Sequence, residues 1–312
     1  MQKVADTAHR AGRADRTMAQ SSSEALARPV HGERSRTPVP QVGNGPGWSK
    51  VPQVTALFWG VKVLTTGMGE TASDYLGRTL GPIPAGSLGL AGLVALLVLQ
   101  FRTTRYRPWV YWSAIVMVSV FGTMAADVVH VVAGIPYTVS VIAFSLGLAA
   151  LLTVWYASEG TLSIHSIRTR RRETFYWATV LATFALGTAV GDLTAGTLRW
   201  GYLASGLLFT ALIAVPALSG RFLGLNAVAA FWWAYVLTRP LGASFADWMG
   251  VSTARGGLGW GTGPVTLALV VPIVLLVGYL AISHQDTPSG QPATGTAPGT
   301  QEPVNAGASA RS

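Results

Sequence analysis

Between about residue 54 and residue 283 the chain alternates long apolar runs with short polar breaks. Eight runs, at about 54–76, 86–101, 109–132, 137–157, 174–195, 201–218, 228–249 and 264–283, each approach the roughly 20 residues that cross a bilayer as a helix. The second is short, and the first and seventh carry charges. Strands of a membrane barrel would be shorter and would alternate in polarity, and these runs do neither. The pattern therefore predicts an all-α membrane protein with eight transmembrane helices. The flanks read differently. Residues 1–50 are rich in Arg, Ser, Gly and Pro without apolar periodicity, and residues 285–312 are rich in Pro, Gly, Thr and Ser. Both are expected to be disordered tails around a domain of residues 51–284. The first tail lacks the apolar core of a secretory signal peptide.

The odd-numbered runs are copies of one another. FWGVKVLTTGMGETASDYL (58–76), YWSAIVMVSVFGTMAADVV (111–129), YWATVLATFALGTAVGDLT (176–194) and FWWAYVLTRPLGASFADWM (231–249) share one spacing. An aromatic-Trp pair is followed ten residues after the Trp by Gly, fourteen after by a small residue and fifteen after by Asp. The aligned positions are Trp59, Trp112, Trp177 and Trp232; Gly69, Gly122, Gly187 and Gly242; Ser73, Ala126, Gly191 and Ala246; Asp74, Asp127, Asp192 and Asp247. Four repeats follow, at about 54–104, 109–160, 174–220 and 228–283, each a pair of spans. Because each contributes two crossings, successive repeats enter the membrane in the same direction and are related by an axis along the membrane normal.

At about 100° per residue, the Gly, the small residue and the Asp all fall within an arc about 140° wide that also contains the Trp. The Gly-x-x-x-small pair allows close helix approach, so this face is predicted to meet other helices and to point the Asp residues inward. The opposite face, with Met68, Tyr75, Phe121, Val128, Leu186, Leu193, Leu241 and Trp248, suits lipid. Each Asp lies about 22 Å along its helix from the Trp. With the Trp residues in an interfacial aromatic belt, the carboxylates belong to the outer half of the membrane.

This repeated unit resembles a family of bacterial integral membrane proteins built from four tandem repeats of unknown function, each with two transmembrane segments and a characteristic tryptophan. The resemblance spans about residues 51–283. It rests on the Trp-x9-Gly-x3-small-Asp spacing and on KVPQVTALFWGVKVLTTGMGETASDYL, GTAVGD and TRPLGASFADW. It implies a polytopic inner-membrane protein and carries no activity with it, so function has to be read from the residues.

Composition narrows the choice. Half of the chain is hydrophobic and 11% is charged, against roughly a quarter charged in ordinary soluble domains. The absence of cysteine excludes disulfides, thiolate catalysis, Cys-ligated zinc and iron–sulfur clusters. The net charge of +9 follows topology. With the N-terminus inside, Arg102, Arg105, Arg107, Arg168, Arg170, Arg171, Arg172 and Arg221 fall on the inner side, against Arg78, Arg199 and Arg255 outside. The positive-inside rule then places both termini in the cytoplasm of a multi-pass cell-membrane protein. The basic N-terminal segment suits anionic lipid, and no nucleic-acid partner is implied.

Charges within the spans are candidates for function, since each costs at least ~2.5 kcal/mol at the bilayer centre. Five carboxylates, Glu70, Asp74, Asp127, Asp192 and Asp247, face two cations, Lys62 and Arg239. The carboxylates form a candidate site for protons or for a hard cation such as Mg²⁺, Mn²⁺ or Ca²⁺. Glu70 and Asp74, four apart, share a face and are placed either to chelate a cation jointly or to hold a proton through mutual repulsion, while Thr123 and Thr188, at the position equivalent to Glu70, offer hydroxyl ligands or interhelical hydrogen bonds. His130, one turn beyond Asp127, is placed either to relay protons or, the reading favoured here, to act as a local hydrogen-bond partner. Lys62 is expected to snorkel to the cytoplasmic surface. Arg239 precedes Pro240, whose ring frees a carbonyl in the preceding turn, so this pair marks either a moving element or a structural ion pair. The Gly-rich run at 256–263 lacks the strand and Lys of a phosphate loop, and no nucleophile elbow, His-rich metalloprotease motif or kinase signature occurs. No enzyme activity and no cofactor are expected. The leading expectation is a transporter moving a cation, or a solute coupled to protons, through a site lined by one Asp per repeat. The alternative is a scaffold or sensor whose Asp residues are structural.

Overall fold

The computed structural model describes residues 48–222 and 226–288. The segments 1–47 and 289–312, which make up most of the two expected tails, lie outside the described residues. Eight long helices follow in order: α1 Ala56–Leu80, α2 Pro82–Arg102, α3 Pro108–Asp127, α4 Tyr137–Glu159, α5 Arg170–Asp192, α6 Tyr202–Phe222, α7 Ala227–Gly250 and α8 Thr262–Ser283. Among the described residues there is no strand. Five helices are long and apolar enough to cross a membrane: α2, α3, α4, α5 and α8. The charges of α1 and α7 dilute their hydropathy, and α6 has a shorter apolar stretch at Tyr202–Pro216.

Local chemistry sets the helix starts. Thr55, Thr169 and Asn226 cap α1, α5 and α7 by accepting the amide protons of Phe58, Arg172 and Val228. α2 begins at Pro82, earlier than its apolar run suggests, because proline fits a first helical turn and Gly81 before it takes φ 84°. α3 and α5 each pass into a π-helical turn immediately after the repeated Asp, at Val128–Val132 and Leu193–Thr197.

The first helices of the four repeats form a closed inner ring, in which α1 packs on α3, α3 on α5, α5 on α7 and α7 back on α1. Each second helix packs chiefly on the first helix of the following repeat: α2 on α3, α4 on α5, α6 on α7, and α8 around the circle on α1. The repeated glycines explain the closeness of the ring. A Cβ at Gly69 would meet Ser119, one at Gly122 would meet Phe184, one at Gly187 would meet Arg239, and one at Gly242 would meet Thr66. Each glycine thus receives the residue seven after the Trp of the next repeat, and the pattern closes from the fourth repeat onto the first. Close backbone approach of this kind binds helices where lipid removes the hydrophobic drive.

Two sequence expectations are corrected by this arrangement. The backs of the inner helices do not all face lipid, since Met68 and Leu186 are buried. The repeated tryptophans do not form a lipid-facing interfacial belt: Trp112, Trp177 and Trp232 are buried and Trp59 is half-buried. They build an internal collar. Phe58 lies 5.5 Å from Trp112, Tyr111 5.7 Å from Trp177, Tyr176 6.4 Å from Trp232 and Phe231 5.6 Å from Trp59, between ring centroids. Each such aromatic pair adds roughly 0.5–1.5 kcal/mol beyond its area.

Below the collar, at the amino ends of the inner helices, residues 49–53 form a buried strap. Lys50 pairs with Glu173 at 2.6 Å, and Gln100 reaches the other Glu173 oxygen at 3.4 Å. The Gln53 amide donates to the Asp286 carbonyl at 2.9 Å, and the Tyr106 hydroxyl donates to the Asp286 carboxylate. The ordered fold therefore begins before residue 51 and includes Asp286, because these polar groups find buried partners there. Burial pushes the Asp286 carboxyl above the ordinary carboxylate range and the Tyr106 hydroxyl above its own.

Candidate functional site

Along each inner helix the positions one before the Trp and three, seven, eleven and fifteen after it lie four apart. Each step drifts by only about 40°, so they trace one ridge. Four ridges facing one another stack the ring's interior into tiers. The first is Phe58, Tyr111, Tyr176 and Phe231 of the collar, where the Tyr111 and Tyr176 hydroxyls share a hydrogen bond of 2.5 Å. Next come Lys62, Ile115, Val180 and Tyr235, then Thr66, Ser119, Phe184 and Arg239, all fully buried. Glu70, Thr123, Thr188 and Ala243 form the fourth tier, and the four Asp residues form the last, at the half-exposed carboxyl ends of the helices.

Lys62 does not snorkel. It is 0% exposed, its Nζ has no hydrogen-bond partner among the described residues, and it lies 4.3 Å from the ring centroids of both Phe184 and Tyr235. The ring closure on all sides prevents the side chain from reaching either surface, and cation–π contact replaces hydration. Arg239 is likewise fully buried. It donates to Glu70 and, at 2.5 Å, to the Thr123 hydroxyl, whose own proton goes to the Ser119 carbonyl at 2.9 Å. Among the described residues, the Nε and Nη1 of Arg239 have no hydrogen-bond partner. This knot joins α7, α1 and α3. Pro240 lies inside a continuous α7, with its ring and the Arg239 stem filling the space left by Gly187.

The joint chelate expected of Glu70 and Asp74 is not formed. Glu70 is engaged by Arg239, and Asp74 pairs with Arg78 at 2.8 Å on the exposed end of α1. Among the described residues, no three His, Cys, Asp or Glu side chains are gathered closely enough to hold a metal ion. Glu70, Asp192 and Asp247 instead share a crevice with Thr188, Gly191, Ala195, Tyr202, Ala243 and Ser244. It encloses about 210 Å³ of empty space together with its mouth, and is too narrow for a water molecule in this conformation. Asp127 does not line the crevice but lies within electrostatic range of Glu70, Asp192 and Asp74. Asp192 and Asp247 make no ion pair among the described residues. His130 bonds through Nδ1 to the Ile135 carbonyl at 3.0 Å and stacks on Tyr137 at 3.9 Å, a local role.

Sequence reasoning missed Ser244, Tyr202 and the Lys50–Glu173 pair. Ser244 follows Ala243, outside the repeated spacing, and Tyr202 sits at the start of an outer helix, which carries no repeat signature. Lys50 and Glu173 are 123 residues apart, and nothing local announces their meeting.

Residues 57–106, 110–161, 175–220 and 230–286 match the sequence model of the Repeat of Unknown Function (DUF347), and the chain belongs to that family. No curated protein and no solved structure matches it.

Proposed function

We propose that this four-repeat membrane chain is a transport protein of the cell membrane, with both termini cytoplasmic, which moves a cation or couples protons to the passage of a solute along the ring axis. The observation that carries this reading is the ionisable column: carboxylates at one end of a closed helical ring, an Arg239–Glu70–Thr123 knot beneath them, and the unpartnered Lys62 deeper still. Groups so costly to bury in a membrane protein are functional candidates by default. Three positions of the column could have been filled by Ser or Thr, as Thr66, Ser119 and Thr188 are, at lower desolvation cost.

The axis is closed in this conformation. The aromatic collar and the Lys50 strap stop one end, and the Arg239 knot stops the middle. A cycle would carry positive charge from the acidic mouth to Glu70, displace Arg239 from it, and re-form the pair after passage. Pro240 supports movement there, because α7 lacks the amide proton that would bond the Val236 carbonyl and is less braced next to Arg239. The positive inner loops support the orientation, with the Asp tier toward the outer face.

Purified protein in proteoliposomes, carrying Asp192→Asn or Asp247→Asn, tests the proposal by solute and proton flux. Transport predicts flux in the parent protein that falls at least tenfold in both variants while folding is retained. The same knot of α1, α3 and α7 favours a second reading, a scaffold braced by charge. That reading predicts no flux at all, with lower stability in the same variants.

A further inference from the structure

We propose that the crevice between α5 and α7 is a binding site for a protonated primary amine bearing a short alkyl group; as a choice of substrate class it rests on the transport reading above, but it is a statement about binding. The crevice is not a symmetric ring of four acids. It belongs to the third and fourth repeats, with Asp192 on α5, Asp247 and Ser244 on α7, and Glu70 from α1 at its floor. Two observations independent of the carboxylates point to a ligand there. Ser244 is 2% exposed, lines the crevice, and its hydroxyl has no hydrogen-bond partner among the described residues. A buried hydroxyl left unpaired carries a desolvation cost, which a ligand in the crevice would recover. The wall is also mixed: Ala195, Ala243 and the Tyr202 ring offer apolar surface beside the acids.

The choice of ligand follows from geometry. A divalent metal ion needs several oxygens converging at about 2.0–2.6 Å, and no three acidic or imidazole side chains are so gathered among the described residues. An ammonium group works at longer range, with three N–H donors directed to acceptors near 2.8–3.0 Å. Asp192, Asp247 and the Ser244 oxygen supply three acceptors from two helices. Glu70 is already engaged by Arg239, so the two aspartates are the carboxyl oxygens left to meet the ligand. A bare ion would leave Ala195, Ala243 and Tyr202 without use, whereas an alkyl group packs on them. The small side chains of Gly191, Ala195 and Ala243 allow the narrow walls to part without a large rearrangement.

Thermal unfolding of the full chain in detergent, titrated with propylammonium chloride at constant ionic strength, provides the test. Sodium, magnesium and tetramethylammonium chlorides serve as comparison salts. Propylammonium should raise the unfolding midpoint in a saturable way, as a ligand of the native state does. Asp247→Asn and Asp192→Asn should each weaken its apparent affinity about tenfold or more, and Ser244→Ala by several-fold. Glu159→Gln, at the Arg172 pair beside the amino end of α5, should leave it unchanged. Equal stabilisation by tetramethylammonium, which has no N–H donor, would overturn the proposal, as would saturable binding of sodium or magnesium alone. So would a Ser244→Ala variant that folds and binds like the parent. Amine binding that persists in a protein without flux upholds this site and removes the transport reading, whereas flux without amine binding does the reverse.

Discussion

Alanine at Gly69 would place its methyl carbon 1.9 Å from the Ser119 Oγ, 2.3 Å from its Cβ and 2.9 Å from its backbone carbon. Rotating the hydroxyl relieves the first contact and neither of the others, so α1 and α3 must separate. At Gly242 the methyl would lie 2.1 Å from Thr66 Oγ1 and 2.8 Å from the Val63 carbonyl oxygen, at Gly187 it would lie 2.6 Å from the Arg239 Cβ, and at Gly122 it would lie 3.1 Å from the Phe184 Cβ. At Gly60 and Gly147, on exposed helix surface, it would meet nothing within 4 Å. Two effects compete. Overpacking costs about 1–3 kcal/mol, and replacing a mid-helix glycine gains about 0.5–1 kcal/mol. Gly69→Ala and Gly242→Ala are therefore expected to lose about 2 kcal/mol, near the top of that difference, and Gly187→Ala somewhat less because part of its clash is with a side-chain stem. Gly122→Ala should be near neutral, and Gly60→Ala and Gly147→Ala neutral to slightly stabilising. Equilibrium denaturation in mixed micelles reads the series directly. A flat series, or one in which Gly60→Ala is as harmful as Gly69→Ala, would refute the ring.

Three further outcomes follow from buried charge. Lys62→Met keeps the stem between Phe184 and Tyr235 and removes an unpartnered amine, so denaturation should show equal or greater stability, by up to a few kcal/mol, while flux in vesicles is lost. Glu70→Gln strips Arg239 of its counter-charge and should destabilise by about 3–5 kcal/mol, with Glu70→Gln/Arg239→Met recovering much of the loss in the same assay. Asp286 has a raised pKa in the fold, so between its ordinary value of 3.8 and that raised value the native state holds the extra proton. Its contribution to stability is present below 3.8 and declines as pH rises through the folded value. Asp286→Asn should flatten that decline in unfolding midpoints measured against pH; an unchanged slope would exclude this carboxyl as its source.

The ring was legible because its signal repeats: one Gly-x-x-x-small-Asp spacing in four copies specifies which helices meet and which face they use. The same angular argument held the answer for Lys62. Its position, three after Trp59, falls at about 300°, inside the arc shared by the glycines. Treating it by its depth in the helix rather than by its angle made it a snorkelling side chain. The tryptophans went the same way, since residues near a helix end can face a bundle as well as lipid. The exchange of outer helices between repeats left no mark in the chain, because α2, α4 and α8 are apolar around most of their circumference and any face of them would suit a neighbour. In the site, Asp192 and Asp247 were readable from the repeat. Their separation from Asp74 was set by Arg78, four residues on, a spacing that favours just such a pair.

Because α8 braces α1 across the seam, the circle has no privileged starting repeat. The described chain ends also touch, through the Gln53 amide and the Asp286 carbonyl. A gene rearranged to begin at the second repeat, with a short connector joining residue 286 to residue 53, would keep every helix beside its present neighbour. Removing any one repeat would instead deprive the outer helix before it of the inner helix it now packs on. The packing is thus indifferent to where the circle is cut and sensitive to the loss of a unit.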